Sequence, residues 1–417
     1  MISQRDNKRE SPMGIRAGFS GRARFRRCAR SLRNALALAG LSVLAACAVV
    51  PKPVAYAPAQ RPAEVAPQAN VLPSDTDRHR IALLVPMTGS NAAIGQAIAN
   101  ATTMALLDTN AANLRITTYD TAGGAGTAAS KAIADGNKLI LGPLTSEEVT
   151  TVAAVARPAH VPMITYSNDA DAAARDVFVF GQVPGQSVAR VIAYARAHGV
   201  TAVGALIPAG VYGQRVAAGL TGAARQNNIR ITDVETYERT NTSVGSAIRR
   251  IKAKGQVDAI VIADRARIAA LAAPFANGVR LLGTELWAGE GAIARSAPLR
   301  GSWFAAISDK RFGQFETSYR NRFATSPPRI ATLGYDSVLL TLNVARGWKS
   351  GTVFPTGKMF DPQGFIGLDG VFRFNEFGIA ERAMEVREVG VGTFTTISPA
   401  PVHFTQEDYQ IQHRSGI

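Results

Sequence analysis

The sequence predicts an α/β protein made of two Rossmann-like lobes, each a parallel sheet with helices on both faces. Short apolar runs closed by Gly or Pro, apolar residues spaced three and four apart between those runs, and steady alternation of the two patterns carry this reading. Ile81-Ala82-Leu83-Leu84-Val85 is unbroken apolar sequence ended by Pro86 and Gly89, as in a strand covered on both faces. Ile94, Ile98, Ala101 and Ala105 then mark one face of a helix capped by Ser90 or Asn91.

The same unit repeats with short connections: strand 116–119, helix 127–134, strand 138–141, helix 146–156, strand 162–165. Past Phe178-Val179-Phe180-Gly181 a second series begins. Its helices are expected over 187–197, 213–226, 244–254 and 265–273, and its strands over 202–207, 229–237, 259–263 and 280–282. Beyond these, 303–307 reads as a strand, 312–322 and 333–346 as helices, and 370–374 with 383–389 as a strand pair turned at 376–379. Alternation of this kind specifies right-handed parallel βαβ units.

The amino-terminal segment reads differently. Of the net charge of +15, ten basic and two acidic residues within 1–46 account for +8, which leaves +7 on the rest. That basic stretch runs into a 12-residue apolar segment, Ala35–Ala46, too short to cross a bilayer and suited to a signal-peptide core. Leu44-Ala45-Ala46-Cys47 resembles the lipobox of bacterial lipoproteins. The resemblance implies cleavage before Cys47 and lipid on that residue; Ala48, where inner-membrane lipoproteins carry Asp, implies the outer membrane facing the periplasm. An ordinary cleaved signal and, through Arg26-Arg27, a twin-arginine route are the other readings, and Met13 is a second possible start. Residues 48–78 hold Pro51, Pro53, Pro58, Pro62, Pro67 and Pro73 without apolar periodicity, which reads as a tether. Fully extended at about 3.1 Å per residue it would reach roughly 90 Å. With Cys28 in the removed peptide, no internal disulfide is expected.

Several segments are similar to type I periplasmic binding proteins: Ile81–Asp108, Leu139–Ser146, Val161–Thr165, Tyr212-Gly213, Gly334–Leu340 and Gly367–Phe374. That resemblance implies lobes joined by three crossings around a cleft. With the lipobox it looks most like the penicillin-binding protein activators of the LpoA-like group, though the helical-repeat region of that group is absent and only the Pro-rich tether precedes the α/β part. The expected organisation is signal 1–46, lipidated Cys47 and tether 47–78, first lobe 79–183 plus 305–366, second lobe 184–304 plus 367–400, and tail 401–417. The function this implies is activation of a peptidoglycan-synthesising penicillin-binding protein by direct contact. The alternative is a lipid-anchored receptor for an amino acid, amide or short peptide that serves an ABC importer.

Open α/β sheets bind ligands at the carboxyl ends of their strands. Hydroxyl and amide residues gather there: Thr88, Ser90, Thr145, Ser146, Thr165, Ser167 and Asn168. Thr145 and Ser146 open a helix and could hold a ligand carboxylate or serve only as caps. From the second lobe, Tyr212, Asp264 and Glu290 are candidates, an acid there being the partner for a ligand ammonium. Gly334-Tyr335-Asp336 is read as lobe packing near the hinge. No metal or other cofactor is expected: His79, His160, His198, His403 and His413 are scattered, and nucleophile elbows and phosphate loops are missing. An exported chain with a diffuse +7 is not expected to bind nucleic acid.

Overall fold

The computed structural model describes residues 77–239, 244–291 and 293–404. The signal segment, Cys47, nearly all of the tether, and the tail beyond residue 404 lie outside the described residues. Among the described residues, no helix is long and apolar enough to cross a membrane.

The first sheet is parallel throughout, in the order β2-β1-β3-β4-β5. Its strands are β1 (His79–Val85), β2 (Leu114–Asp120), β3 (Leu139–Leu141), β4 (Met163–Thr165) and β5 (Val177–Val179). The unbroken apolar run of β1 is needed because successive side chains enter opposite cores. Ile81, Leu83 and Val85 pack with α1 (Ala92–Asp108) and α9 (Thr332–Ala345), while Ala82 and Leu84 meet α2 (Ala125–Ala134) and α3 (Ser146–Ala156).

The second sheet repeats the design. Parallel strands β6 (Ala202–Pro208), β7 (Arg230–Tyr237), β8 (Ala259–Ile262), β9 (Arg280–Gly283) and β10 (Trp303–Ala306) are extended by antiparallel β14 (Glu385–Val389) and β15 (Phe394–Ser398). Their order is β15-β14-β10-β9-β8-β6-β7. Val203, Ala205 and Ile207 face α4 (Pro184–Ala197) and α5 (Val211–Gln226); Leu206, Ile260 and Ile262 face α6 (Val244–Ala253) and α7 (Ala266–Ala276).

The lobes are divided differently from the expectation. Residues 303–306 form β10 of the second sheet, so they do not open the returning half of the first lobe. Strands β11 (Phe365–Gly367), β12 (Gly370–Phe374) and β13 (Ala380–Arg382) form a small antiparallel sheet, and Phe365, Phe372 and Phe374 enter the first lobe's core beside Phe178 and Phe180. The expected pairing of 370–374 with 383–389 is replaced by β12 with β13. Asn375 explains this: its Oδ1 accepts the backbone N–H of Phe377 (3.1 Å) and Ile379 (3.0 Å), which turns the chain early enough for Ala380–Arg382 to pair first. The next apolar stretch is then free to cross over as β14. Helix α8 (Phe312–Phe323) lays Phe315 and Tyr319 against α1.

Within the described residues the chain passes between the two main sheets three times, after β5, β10 and β13. Gln186 of α4 ties the first crossing to the third: its side-chain amide donates to the Ala380 carbonyl (2.7 Å) and its oxygen accepts the Arg382 N–H (3.2 Å). At the second crossing, Asp309 accepts from Arg329 of the first lobe and from Arg387 of β14 (2.6 Å).

Asp336 of α9 is fully buried and accepts the backbone N–H groups of Leu368 (2.6 Å) and Asp369 (3.3 Å) between β11 and β12. Burial first, and the Asp369 charge second, raise its pKa to about 7. An unfolded aspartate titrates near about 3.9, so the folded chain holds the extra proton between these values. Stability from this group is greatest below the unfolded value and is lost as pH rises toward the folded one. Asp336→Asn should therefore gain on the wild type between pH 5 and pH 8, as read by urea unfolding at each pH. A difference that stays constant would contradict this.

Candidate functional site

The carboxyl edges of the two sheets face a cleft bridged by α5. On the first lobe, a cavity of about 470 Å³ is lined by Leu144, Thr145, Ser146, Glu147, Tyr166, Ser167, Asn168, Gln182, Arg329, Ile330 and Leu333. Its floor depends on Gly142 at the end of β3. There φ is +104° and an added Cβ would lie 2.1 Å from the Leu84 carbonyl oxygen, so a side chain would push the whole loop away from β1.

Thr145 is extended and caps α3 in a capping box, with its N–H donating to Glu148 (3.2 Å). Thr145, not Ser146, thus makes the cap with Glu148. Glu147, in the first helical turn, stays below the usual carboxylate range through its own backbone N–H and then the Thr145 and Ser146 hydroxyls, with Arg215 adding a weaker pull. Beneath the cavity, Tyr166 is buried and shares a 3.0 Å hydrogen bond with Ser337. Burial raises its pKa, so the phenol stays neutral.

A second cavity, of about 410 Å³, lies on the other lobe against Tyr212, Arg239, Asp264, Arg265, Arg267, Ile268 and Leu286. Helix α5 reaches its lip because Gly213 lets the first turn settle on β6: a Cβ there would lie 1.8 Å from the Pro208 carbonyl oxygen. Asp264 is buried, with Oδ2 accepting from Tyr237 and from Arg239 Nε (2.9 Å) and Oδ1 from the Arg265 N–H (2.7 Å). Burial opposes its charge, yet Arg239 and Tyr237 hold the pKa low. Glu285 accepts from Ser187 and from Tyr212 (3.0 Å), and burial pushes its pKa up despite those bonds.

Arg215, one turn along α5 from Tyr212, joins the two lobes. Its Nη1 donates to Asn168 Oδ1 (2.6 Å) and its Nη2 pairs with Asp169 (2.8 Å), all on partly buried side chains.

Four of the sequence's candidates, Thr145, Ser146, Ser167 and Asn168, come together on the lining of the first cavity, while Tyr212 lines the second cavity on the other lobe. Asp264 lines the second cavity but is already paired, so it cannot receive a ligand ammonium. The remaining candidates are elsewhere. Thr88 is exposed and donates to Asp120 (2.8 Å), and Ser90 is exposed in the same loop outside both cavities. Thr165 is fully buried, its hydroxyl turned to the Pro143 carbonyl (2.9 Å). Glu290 lies in the loop past the 285–287 turn, outside both linings.

The sequence reading missed the guanidinium groups. Arg215 was legible as the residue one turn beyond Tyr212 on the same helix, and Arg265 as the neighbour of Asp264. Arg329 follows two prolines with no periodic pattern and carried no signal. Among the described residues, no group of three or more His, Cys, Asp or Glu is placed to hold a metal ion.

A family model described as periplasmic binding protein matches residues 79–389. The chain belongs to the periplasmic binding protein family. An uncharacterized protein of Rickettsia prowazekii (strain Madrid E) is 30% identical over 173 residues, which are 41% of this chain and 46% of that protein. The chain thus matches less than half the length of that curated relative. Among solved structures, a candidate branched-chain amino acid ABC transporter protein of Rhodospirillum rubrum is similar with a TM-score of 0.67 at 19% identity, over 77% of this chain and 100% of that one. A branched-chain amino acid transporter substrate-binding protein of Streptococcus pneumoniae, in complex with isoleucine, gives 0.54 at 19% over 77% and 100%. An ABC transporter solute-binding protein of R. palustris, in complex with benzoate, gives 0.58 at 17% over 79% and 98%. At such identities these likenesses show the fold of the periplasmic binding proteins, two α/β lobes with parallel-rich sheets.

These findings correct the leading expectation. Activation of a penicillin-binding protein is not upheld: the matching family and the similar structures are those of periplasmic, solute-binding proteins, which favours the alternative reading.

Removing the bridge of this periplasmic binding protein by Arg215→Ala should loosen the lobes. A partly buried charge pair of this kind contributes about 1 kcal/mol. The variant should show a larger radius of gyration in ligand-free small-angle scattering and a modest fall in melting temperature. An unchanged radius would mean that the bridge does not hold the lobes.

Proposed function

We propose that the chain is an extracytoplasmic solute-binding receptor for a small carboxylic acid or amino-acid-like molecule, delivering it to an ABC importer and catalysing no reaction. The observation that carries this is the cavity itself, of about 470 Å³ and lined by hydroxyl and amide side chains, one of which, Asn168, is bonded to Arg215 of the opposite lobe. Its size suits a ligand of amino-acid or benzoate dimensions. The proteins it resembles in fold carry isoleucine and benzoate.

A panel of amino acids and small aromatic and aliphatic acids, read by thermal shift and calorimetry, tests it. A ligand at 100 times its Kd stabilises the folded state by about 2.7 kcal/mol, so a micromolar binder should raise the melting temperature measurably. A flat response across the panel would remove the receptor reading.

Anchoring is part of the same proposal, since lipid on one residue keeps the receptor in the periplasm while the tether gives its folded part reach. Cys47 carries the lipid and the chain sits on the outer membrane facing the periplasm, at the end of a Pro-rich tether. Cys47→Ser should release the chain from membrane to soluble fractions, and retention of the variant in the membrane would rule out that anchor.

A further inference from the structure

The charges of the cleft walls define what the receptor takes, and the inference rests on that receptor reading. An amino-acid ligand needs a free carboxylate for its ammonium. The carboxylate that lines the second cavity is already engaged. Asp264 is held by Arg239 and Tyr237, and Glu285, outside both linings, is hydrogen-bonded by Ser187 and Tyr212. Asp169, at the rim, is paired with Arg215.

Cations, by contrast, are in excess. Three guanidinium groups, Arg239, Arg265 and Arg267, line the second cavity against the single carboxylate of Asp264. Arg265 and Arg267 are exposed and make no ion pair among the described residues. Tyr212 lines this cavity while Arg215, three residues on, contacts Asn168 of the first.

We infer that the second cavity selects carboxylic acids without an amino group, with the acid held by Arg265 and Arg267. This reverses the polarity expected from the sequence, which put the ligand carboxylate at Thr145 and Ser146 and an ammonium against the second lobe. The apolar remainder of the ligand then lies against Tyr212, Ile268 and Leu286 of the same cavity. Planar guanidinium groups bind carboxylates through paired N–H donors, and several converging on one cavity repel an ammonium.

Matched pairs differing only in the amino group test this by calorimetry on the purified chain: 4-methyl-2-oxopentanoate against leucine, and phenylpyruvate against phenylalanine. In at least one pair the oxo acid should bind at least tenfold more tightly, and the double substitution Arg265→Ala with Arg267→Ala should weaken that binding at least tenfold while leaving the melting temperature of the free protein unchanged. Should the amino acids bind as tightly as their oxo acids or more so, the selectivity is wrong and the receptor reading stands. Unchanged oxo-acid affinity in the double variant would equally overturn the assignment of the acid to this wall. If neither pair nor any other small acid or amino acid binds, the receptor reading falls and takes this inference with it.

Discussion

Asp309 stands where the chain leaves the second sheet for the first lobe, and it takes a guanidinium from each side. Arg387 reaches it from β14 while also bonding Glu385 (2.6 Å) and the Ile307 carbonyl (3.1 Å). Arg329 reaches it from the first lobe and pairs on its other edge with Asp369 (3.0 Å). The arrangement alternates sign, so each buried charge has a neighbour to offset its lost hydration. Burial alone would raise the pKa of Asp309, but the two arginines hold it below the ordinary value. Such a chain of charges fixes the relative setting of β14, the second crossing and the β11–β12 turn, because each guanidinium has only one geometry that satisfies both of its acids.

The cleft inherits its geometry from this hinge. Arg329 is at once a hinge residue and part of the first cavity's lining, so the wall near Ile330 and Leu333 is set by the same charges that join the lobes. Further inside, Arg382 is almost fully buried between the Phe180 and Phe372 rings, its Nη2 donating to the Phe180 carbonyl (2.6 Å). Two of its nitrogens have no hydrogen-bond partner among the described residues, and its charge is balanced at longer range by Asp369 and Asp336. An apolar residue there would cost less desolvation. What the ionic version adds is a defined register between β5 and β13, since an aromatic cage with a charged centre accepts only a cation at that point.

How much of this could be read from the sequence depends on whether the deciding contact is local. Strand β1 was legible because burial on both faces leaves a continuous apolar run, and α3 because its cap and apolar spacing lie within a few residues. The segment after β12 was not. Ala380–Arg382 and the apolar stretch behind it look alike to a period-two reading, and the choice between them rests on Asn375 side-chain bonds and on which lobe has room. Thr145, Ser146, Ser167 and Asn168 could be placed at strand ends by position alone. Whether Thr165 faced outward or into the core depended on the Pro143 carbonyl, a contact across 22 residues. Buried arginines were the hardest. Arg329, Arg382 and Arg387 read as solvated surface until their carboxylates, brought from distant segments, are in place.

The positive charge remaining on the folded part is accordingly not a uniform coat. Arg373 and Arg387 are buried against Glu381, Glu385 and Asp309, and Arg157 and Arg250 are spent on Asp176 and Glu235 at the surface. Pairs of this kind cancel at a distance and attract no polyanion. The excess that is left inside a concavity, at Arg265 and Arg267, acts differently, because low-dielectric walls concentrate its field toward the cavity. Resolved by position, two guanidinium groups without an ion pair among the described residues, Arg265 and Arg267, line a cavity the size of a single small acid.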